Sequence, residues 1–89
     1  MPSYLVETYL SNSPGERAAR ERRARTAAEE MAREDTRIRF ERSIHVPQDE
    51  ICFYVFEAGG ARDAALVAER ARLDPIRIVE AVSSGKEKA

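Results

Sequence analysis

Apolar and polar residues follow one another along this chain in patterns that predict four strands. Ser3–Leu10 and Ile76–Val82 are rich in β-branched and aromatic residues, which favour strands. Thr36–Val46 alternates apolar and polar side chains except at Arg42, a pattern typical of a strand with one buried face. Ile51–Ala58 is apolar at nearly every position and indicates a central strand.

Two helices are predicted between these strands. Ser13, Pro14 and Glu16 form a helix-start pattern, with an N-cap serine, proline at the first helical position and glutamate three residues after the cap. This helix should run to about Asp35, and the second should cover Ala61–Leu73. Their predicted apolar stripes are narrow and rich in alanine: Ala24, Ala27, Ala28 and Met31 in the first, and Ala64, Val67, Ala68 and Ala71 in the second.

The order of these elements is β-α-β-β-α-β, which predicts a ferredoxin-like α+β fold. Right-handed crossovers then give a four-stranded antiparallel sheet in the order 4-1-3-2, with both helices on one face. We expect residues 1–83 to form one domain and residues 84–89 to form a flexible C-terminal tail.

Composition narrows the class of protein. The 89 residues are 43% hydrophobic and 35% charged, which is typical of a soluble globular domain. No apolar run approaches the ~20 residues that a membrane helix needs. A single cysteine cannot form an internal disulfide, so a cytoplasmic location is expected. The net charge of −1 gives no general attraction to nucleic acid, and the arginines of "ERAARERRAR" alternate with glutamates as on a salt-bridged, solvated helix face.

The middle two strands contain the only histidine and the only cysteine, His45 and Cys52. The turn at Pro47–Glu50 has an even number of residues, so the register places His45 directly opposite Cys52, with Cβ atoms ~4.5–5.5 Å apart. The apolar set beneath the helices is then predicted to be Ile44, Val46, Ile51, Phe53 and Val55. The open face is predicted to carry Glu41, Ser43, His45, Cys52, Tyr54 and Phe56, joined by Leu5, Glu7 and Tyr9 of the first strand and by Glu80 of the last.

An open sheet face that carries aromatic rings usually marks a partner or ligand surface. We therefore predict a homodimer that buries Tyr54 and Phe56, with Tyr9 and Glu41 also in the pocket or interface. His45 and Cys52 are good ligands for Ni(II), Zn(II) or copper, and Glu7 and Glu80 could complete a metal shell. The alternatives are a cysteine that packs as a small apolar residue and a histidine that is hydrogen-bonded near the turn.

Three segments, "YLVETYL", "RSIHVPQDEICFYVFEA" and "DPIRIVEAV", resemble a family of small bacterial proteins catalogued as a domain of unknown function. The likeness spans about residues 3–82 and is strongest in the hairpin. The family includes a nickel-binding, nickel-responsive member that is a dimeric ferredoxin-like α/β barrel. The resemblance implies a homodimer and makes nickel the leading candidate metal, although Tyr54 stands where many relatives have a second cysteine.

Two other functions stay open at the level of sequence. One is a small-molecule-binding barrel, or an oxygenase- or isomerase-like barrel, in which His45 would act as general base and Glu7 or Tyr54 would orient the substrate. The other is a non-catalytic dimeric interaction module. The chain contains no nucleophile elbow, glycine-rich phosphate loop or cofactor fingerprint, so no residue is assigned a catalytic role.

Overall fold

The computed structural model describes residues 1–10 and 13–82. The elements are β1 (Ser3–Tyr9), α1 (Pro14–Arg33), β2 (Ile38–Val46), a 3-10 turn (Pro47–Asp49), β3 (Ile51–Ala58), α2 (Ala61–Arg70) and β4 (Arg77–Ala81). The predicted tail at residues 84–89 lies outside the described residues. Neither described helix is long and apolar enough to cross a membrane.

The four strands form one antiparallel sheet in the order β2-β3-β1-β4, which is the predicted order 4-1-3-2 read from the other edge. Alternate residues of β1 are buried, as expected when helices cover only one face. The ferredoxin-like fold predicted from the sequence is therefore confirmed.

Both helices pack on the sheet through the small residues that the sequence predicts. The stripe of α1 is at most 3% exposed at Ala24, Ala27, Ala28 and Met31. The stripe of α2 is at most 2% exposed at Ala64, Val67, Ala68 and Ala71. Alanine at these positions lets the helix axes approach the sheet closely, so that the larger side chains of the core come mostly from the strands.

The two helices end in the same way. In α1 the Thr36 N–H donates to the Met31 carbonyl at 3.0 Å, and Asp35 adopts a left-handed φ of 71°. In α2 the Leu73 N–H donates to the Ala68 carbonyl at 3.0 Å, and Arg72 has a φ of 56°. This pattern is the Schellman motif, and it ends α2 at Arg70 although the sequence predicts a helix to Leu73.

The β2–β3 hairpin has the predicted register, with His45 opposite Cys52. The predicted faces are wrong, because the register shifts between Phe40 and Arg42 and leaves Glu41 as an extra, exposed residue. A bulge of this kind reverses the facing of every residue beyond it. Phe40 and His45 consequently lie on the same, helix-covered face.

The predicted faces are therefore exchanged for the hairpin residues beyond the bulge. The residues that lie beneath the helices are Ser43, His45, Cys52, Tyr54 and Phe56. Those that lie on the open face are Ile44, Val46, Ile51, Phe53 and Val55, together with Leu5, Glu7 and Tyr9 of β1.

Candidate functional site

The covered face of the sheet consists of two halves. The apolar half contains the cross-strand rows Ile38–Ala58 and Phe40–Phe56–Tyr4. The polar half contains the rows Ser43–Tyr54 and His45–Cys52–Thr8. Polar side chains that are buried beneath a helix need hydrogen-bond partners on that helix. The side chains of α1 therefore determine which hydrogen bonds the polar half can form.

Helix α1 changes character at the boundary between these halves. Arg17, Glu21, Ala24, Ala28 and Met31 follow one another at spacings of four and three residues, which places them on one side of the helix. The last three cover the apolar half. The first two are half-buried over the polar half, where they contact β2. We name the group formed by Arg17, Glu21, Ser43, His45, Cys52 and Tyr54 the polar cluster.

Two side-chain hydrogen bonds join α1 to β2 in the polar cluster. Arg17 Nη1 lies 2.9 Å from His45 Nδ1, and the Ser43 hydroxyl donates to Glu21 Oε1 at 2.8 Å. A guanidinium has no acceptor, so His45 Nδ1 must accept this hydrogen bond. The neutral imidazole therefore carries its proton on Nε2.

The inner end of the cluster is formed by Cys52 and Tyr54, both 0% exposed. Burial raises the pKa of the Cys52 thiol, and it raises the pKa of the Tyr54 phenol well above its ordinary value. The two groups are in side-chain contact, and each affects the pKa of the other. Tyr54 Oη and His45 Nε2 are buried and have no hydrogen-bond partner within the described part of the chain.

Two further arginines of α1, beside the cluster, bind backbone carbonyls at the end of β1 and after α2. Arg20 Nη1 donates to the carbonyls of Tyr9 and Leu73, each at 3.2 Å, while its Nε donates to Glu16 at 2.9 Å. Arg23 Nε donates to the Ala71 carbonyl at 2.8 Å. Arg20 and Arg23 thus satisfy carbonyls that follow α2 and bring positive charge close to Tyr54.

The salt-bridged helix face predicted for "ERAARERRAR" accounts for part of this segment. Arg20 pairs with Glu16, and Arg25 pairs with Glu21 at 3.1 Å, both at i,i+4 spacing. The inward contacts of Arg17 and Arg23 were missed by the sequence reasoning. The signal that could have found Arg17 is its spacing to Glu21 and Ala24 along one helix stripe.

The four residues predicted as metal ligands do not converge. Glu7 lies on the open face and forms an ion pair with Arg77 at 2.7 Å. Glu80 is exposed on the edge strand β4, where it pairs with Tyr4 and so lies on the helix side of the sheet, not on the open face as predicted. Strand β1 separates it from Cys52 in β3. Only His45 and Cys52 are neighbours, and residues 1–10 and 13–82 contain no group of three or more His, Cys, Asp or Glu placed to hold a metal ion.

The donor chemistry of His45 also fits a metal poorly in this arrangement. A metal-bound imidazole coordinates through an unprotonated nitrogen. Here the Arg17 guanidinium occupies Nδ1, and the proton sits on Nε2. In this arrangement His45 therefore presents a hydrogen-bond donor where a metal would need a lone pair.

The predicted pocket or interface residues divide between the two faces. Tyr9 is 68% exposed on the open face, as predicted. Tyr54 and Phe56 are 0% exposed beneath the helices, and Glu41 is exposed at the bulge. The aromatic ring that β3 presents to the open face is instead Phe53.

Comparison with known proteins identifies a structural relative. The crystal structure of SCO4226 from Streptomyces coelicolor A3(2) superposes with a TM-score of 0.71 at 15% sequence identity, covering 93% of this chain and 99% of that one. No family model and no curated protein matches the sequence. At this level of identity the likeness shows a shared fold and nothing further.

Proposed function

We propose that this chain is a homodimeric interaction module in which two copies pack through the open faces of their sheets. The observation that carries this proposal is the apolar character of the uncovered face. The described apolar side chains that alternate onto it are Leu5, Ile44, Val46, Ile51, Phe53, Val55 and Val79. Ile44 is 39% exposed, Val55 is already buried at 5%, and the other five are half-buried in the single chain. A partly exposed apolar surface of this kind on a small domain indicates a protein interface.

The charges on the same face favour a second copy as the partner. Glu7 pairs with Arg77 on the side of β4, and Arg39 pairs with Glu57 at 2.8 Å on the side of β2. The two ion pairs lie on different cross-strand rows, and the row between them contains Val55 and Leu5 together with the exposed Arg42 of β2. Both signs of charge are present, and Arg42 is the one charged residue of this face without an ion pair among the described residues. The face therefore carries little excess charge to attract a nucleic acid and is compatible with a copy of itself.

The test measures the molar mass of wild type and of two glutamate variants, Phe53→Glu and Leu66→Glu, by light scattering coupled to gel filtration. Wild type should elute at twice the chain mass of 10.0 kDa. Phe53→Glu places a charge in the middle of the open face and should give a folded monomer. Leu66→Glu, at a position 43% exposed on α2, is the control and should stay dimeric. A monomeric wild type at micromolar concentration would refute the proposal.

Nickel binding is the second candidate, and the direct pairing of His45 with Cys52 is the observation in its favour. It ranks lower because Arg17 would have to release His45 before the imidazole could coordinate a metal. Isothermal titration with Ni(II) tests it: stoichiometric binding that is lost in His45→Ala would establish the site. The absence of binding heat in wild type would exclude it.

The proposal includes no catalytic role. As a general base His45 would need an unprotonated nitrogen facing the substrate, and its contact with Arg17 leaves the proton on Nε2. We also propose a cytoplasmic location, since the single thiol, Cys52, is buried and free and suits a reducing compartment.

A further inference from the structure

We propose that a groove between the two helices binds the phosphate group of a small phosphorylated molecule. The groove has a volume of about 460 Å³ and lies between one flank of α1 and the end of α2. A volume of this size is within the range of ~300–1,000 Å³ that is typical of small-molecule sites. All its described lining residues belong to α1 or to residues 70–72, so the site is separate from the proposed dimer interface on the open sheet face.

The wall on α1 is a single flank of that helix. Arg22, Thr26 and Glu30 follow one another at intervals of four residues, and Ala19 and Arg23 have the same spacing beside them. Residues at this spacing lie one above the other on a helix. The short side chains of this flank leave space between the arginines, which is the space that the groove occupies.

Positive charge dominates the groove. Four of its lining residues are arginines and one is a glutamate, whereas the whole chain has a net charge of −1. The glutamate, Glu30, lies 3.7 Å from Arg70, and Glu34 accepts hydrogen bonds from both Nη atoms of Arg70 at 3.0 Å. The carboxylates therefore neutralise Arg70. Arg22 and Arg72 are exposed and form no ion pair among the residues that the structure describes.

Arg23 is held in the groove by the backbone that follows α2. Its Nε donates to the Ala71 carbonyl at 2.8 Å, and its Nη2 donates to the Arg72 carbonyl at 3.2 Å. These carbonyls lie at the negative end of the helix dipole, and the bonds from Arg23 offset a charge that would otherwise repel an anion. Neither bond uses Nη1, which stays a donor without an acceptor among the described residues.

Arg22, Arg23 and Arg72 thus bring three guanidinium groups without carboxylate partners to one groove. Each guanidinium is a planar fork that matches two oxygens of an anion. A carboxylate can occupy one such fork, whereas a phosphate monoester has three acceptor oxygens and a charge of about −1.5 to −2 at pH 7. A phosphate group is therefore the ligand that can use all three arginines together.

The rest of the groove suits an organic group attached to that phosphate. Ala27 and Ala71 are 3% and 2% exposed and form its base, and the aliphatic stems of the arginines border it. A free phosphate ion would fill only a small part of the volume. A small ring or chain carried by the phosphate could pack against the alanines and the stems.

Backbone amide NMR at pH 7 and ~0.15 M ionic strength tests the site. Sodium phosphate and sodium phenyl phosphate should both shift the signals of Ala27, Ala71 and Arg72 in a saturable way. Phenyl phosphate should bind at least ~3-fold more tightly, because its ring adds apolar contact. Sodium chloride at the same ionic strength, and phenol, which keeps the ring and lacks the phosphate, should not produce these shifts.

Three variants locate the binding. Arg22→Gln and Arg72→Gln each remove one unpaired charge at an exposed position and should weaken phenyl phosphate binding at least ~5-fold. Arg62→Gln makes the same change in the first turn of α2, about 12 Å along the helix from Arg70 and beyond the ~8 Å screening length. This control should bind like wild type within ~2-fold. The amide spectrum of each variant shows whether it is folded.

Several results would overturn the proposal. They are shifts that chloride reproduces, shifts that do not saturate or lie outside the groove, unchanged affinity in both Arg22→Gln and Arg72→Gln, and an equal loss in Arg62→Gln. Equal affinity for phosphate and phenyl phosphate would overturn the assignment of an organic ligand. The dimer test is separate, since Phe53→Glu should abolish dimerisation and leave the phosphate titration intact.

Discussion

The two halves of the covered sheet face meet the same helix and use it in opposite ways. Over the apolar half, α1 presents Ala24, Ala28 and Met31, and the space is filled by packed rings such as Phe56. Over the polar half it presents Arg17 and Glu21, which form discrete hydrogen bonds to β2. The first arrangement stabilises the fold by burial, whereas the second stabilises it by specific polar contacts and leaves His45 Nε2 buried without a hydrogen-bond partner among the described residues.

The largest expected effect on stability comes from truncating a large side chain in the apolar half. Phe56 is 0% exposed, and its ring centre lies 5.4 Å from that of Phe40. Phe56→Ala should lower the free energy of unfolding by about 3–5 kcal/mol through lost burial and the cavity left behind. Urea unfolding at fixed protein concentration measures this, with Leu66→Ala as an exposed control expected to change stability by less than ~0.5 kcal/mol. A cost below ~1 kcal/mol for Phe56→Ala would contradict the assignment of the apolar half as the core.

The second largest expected effect is a loss of stability at alkaline pH, which arises in the polar half. Folding raises the pKa of both Cys52 and Tyr54, so above their unfolded values of ~8.5 and ~10 the unfolded chain binds fewer protons than the native one. Their contribution to stability is fully present below those values and is lost as pH rises, by up to ~1.4 kcal/mol per pH unit for each group. Urea unfolding between neutral and strongly alkaline pH measures the slope. Cys52→Ala and Tyr54→Phe should each make it shallower, and an unchanged slope in both would show that these groups are not the cause.

The elements and their pairing could be predicted from the sequence, because they depend on local patterns. The alanine stripes, the strand order and the register of His45 with Cys52 all follow from periodicity and turn length. The facing of β2 could not be predicted in the same way. The break in alternation at Arg42 marks the bulge at Glu41, and the two alternating sets of β3 are so similarly apolar that neither corrects the error.

The polar cluster was harder to predict for a different physical reason. Ser43 and His45 look like solvent-facing residues when their strand is considered alone, since nothing local provides them with partners. Their partners, Arg17 and Glu21, come from a helix more than 20 residues away in sequence, where the abundance of charge suggests a solvated surface. Charged residues at the start of an alanine stripe are the sequence signal that connects the two.

The smallest expected effect is the change in stability when the Tyr54 hydroxyl of the polar half is removed. The Tyr54 hydroxyl is buried without a hydrogen-bond partner among the described residues, so the unliganded protein gains nothing from it. Tyr54→Phe removes a desolvated polar group and keeps the ring, which should leave the free energy of unfolding unchanged or raise it by up to about 1 kcal/mol. Urea unfolding at neutral pH in chloride buffer checks this value. A loss of more than ~1 kcal/mol would mean that the hydroxyl has a partner within the fold, for which the neighbouring Cys52 thiol is the candidate.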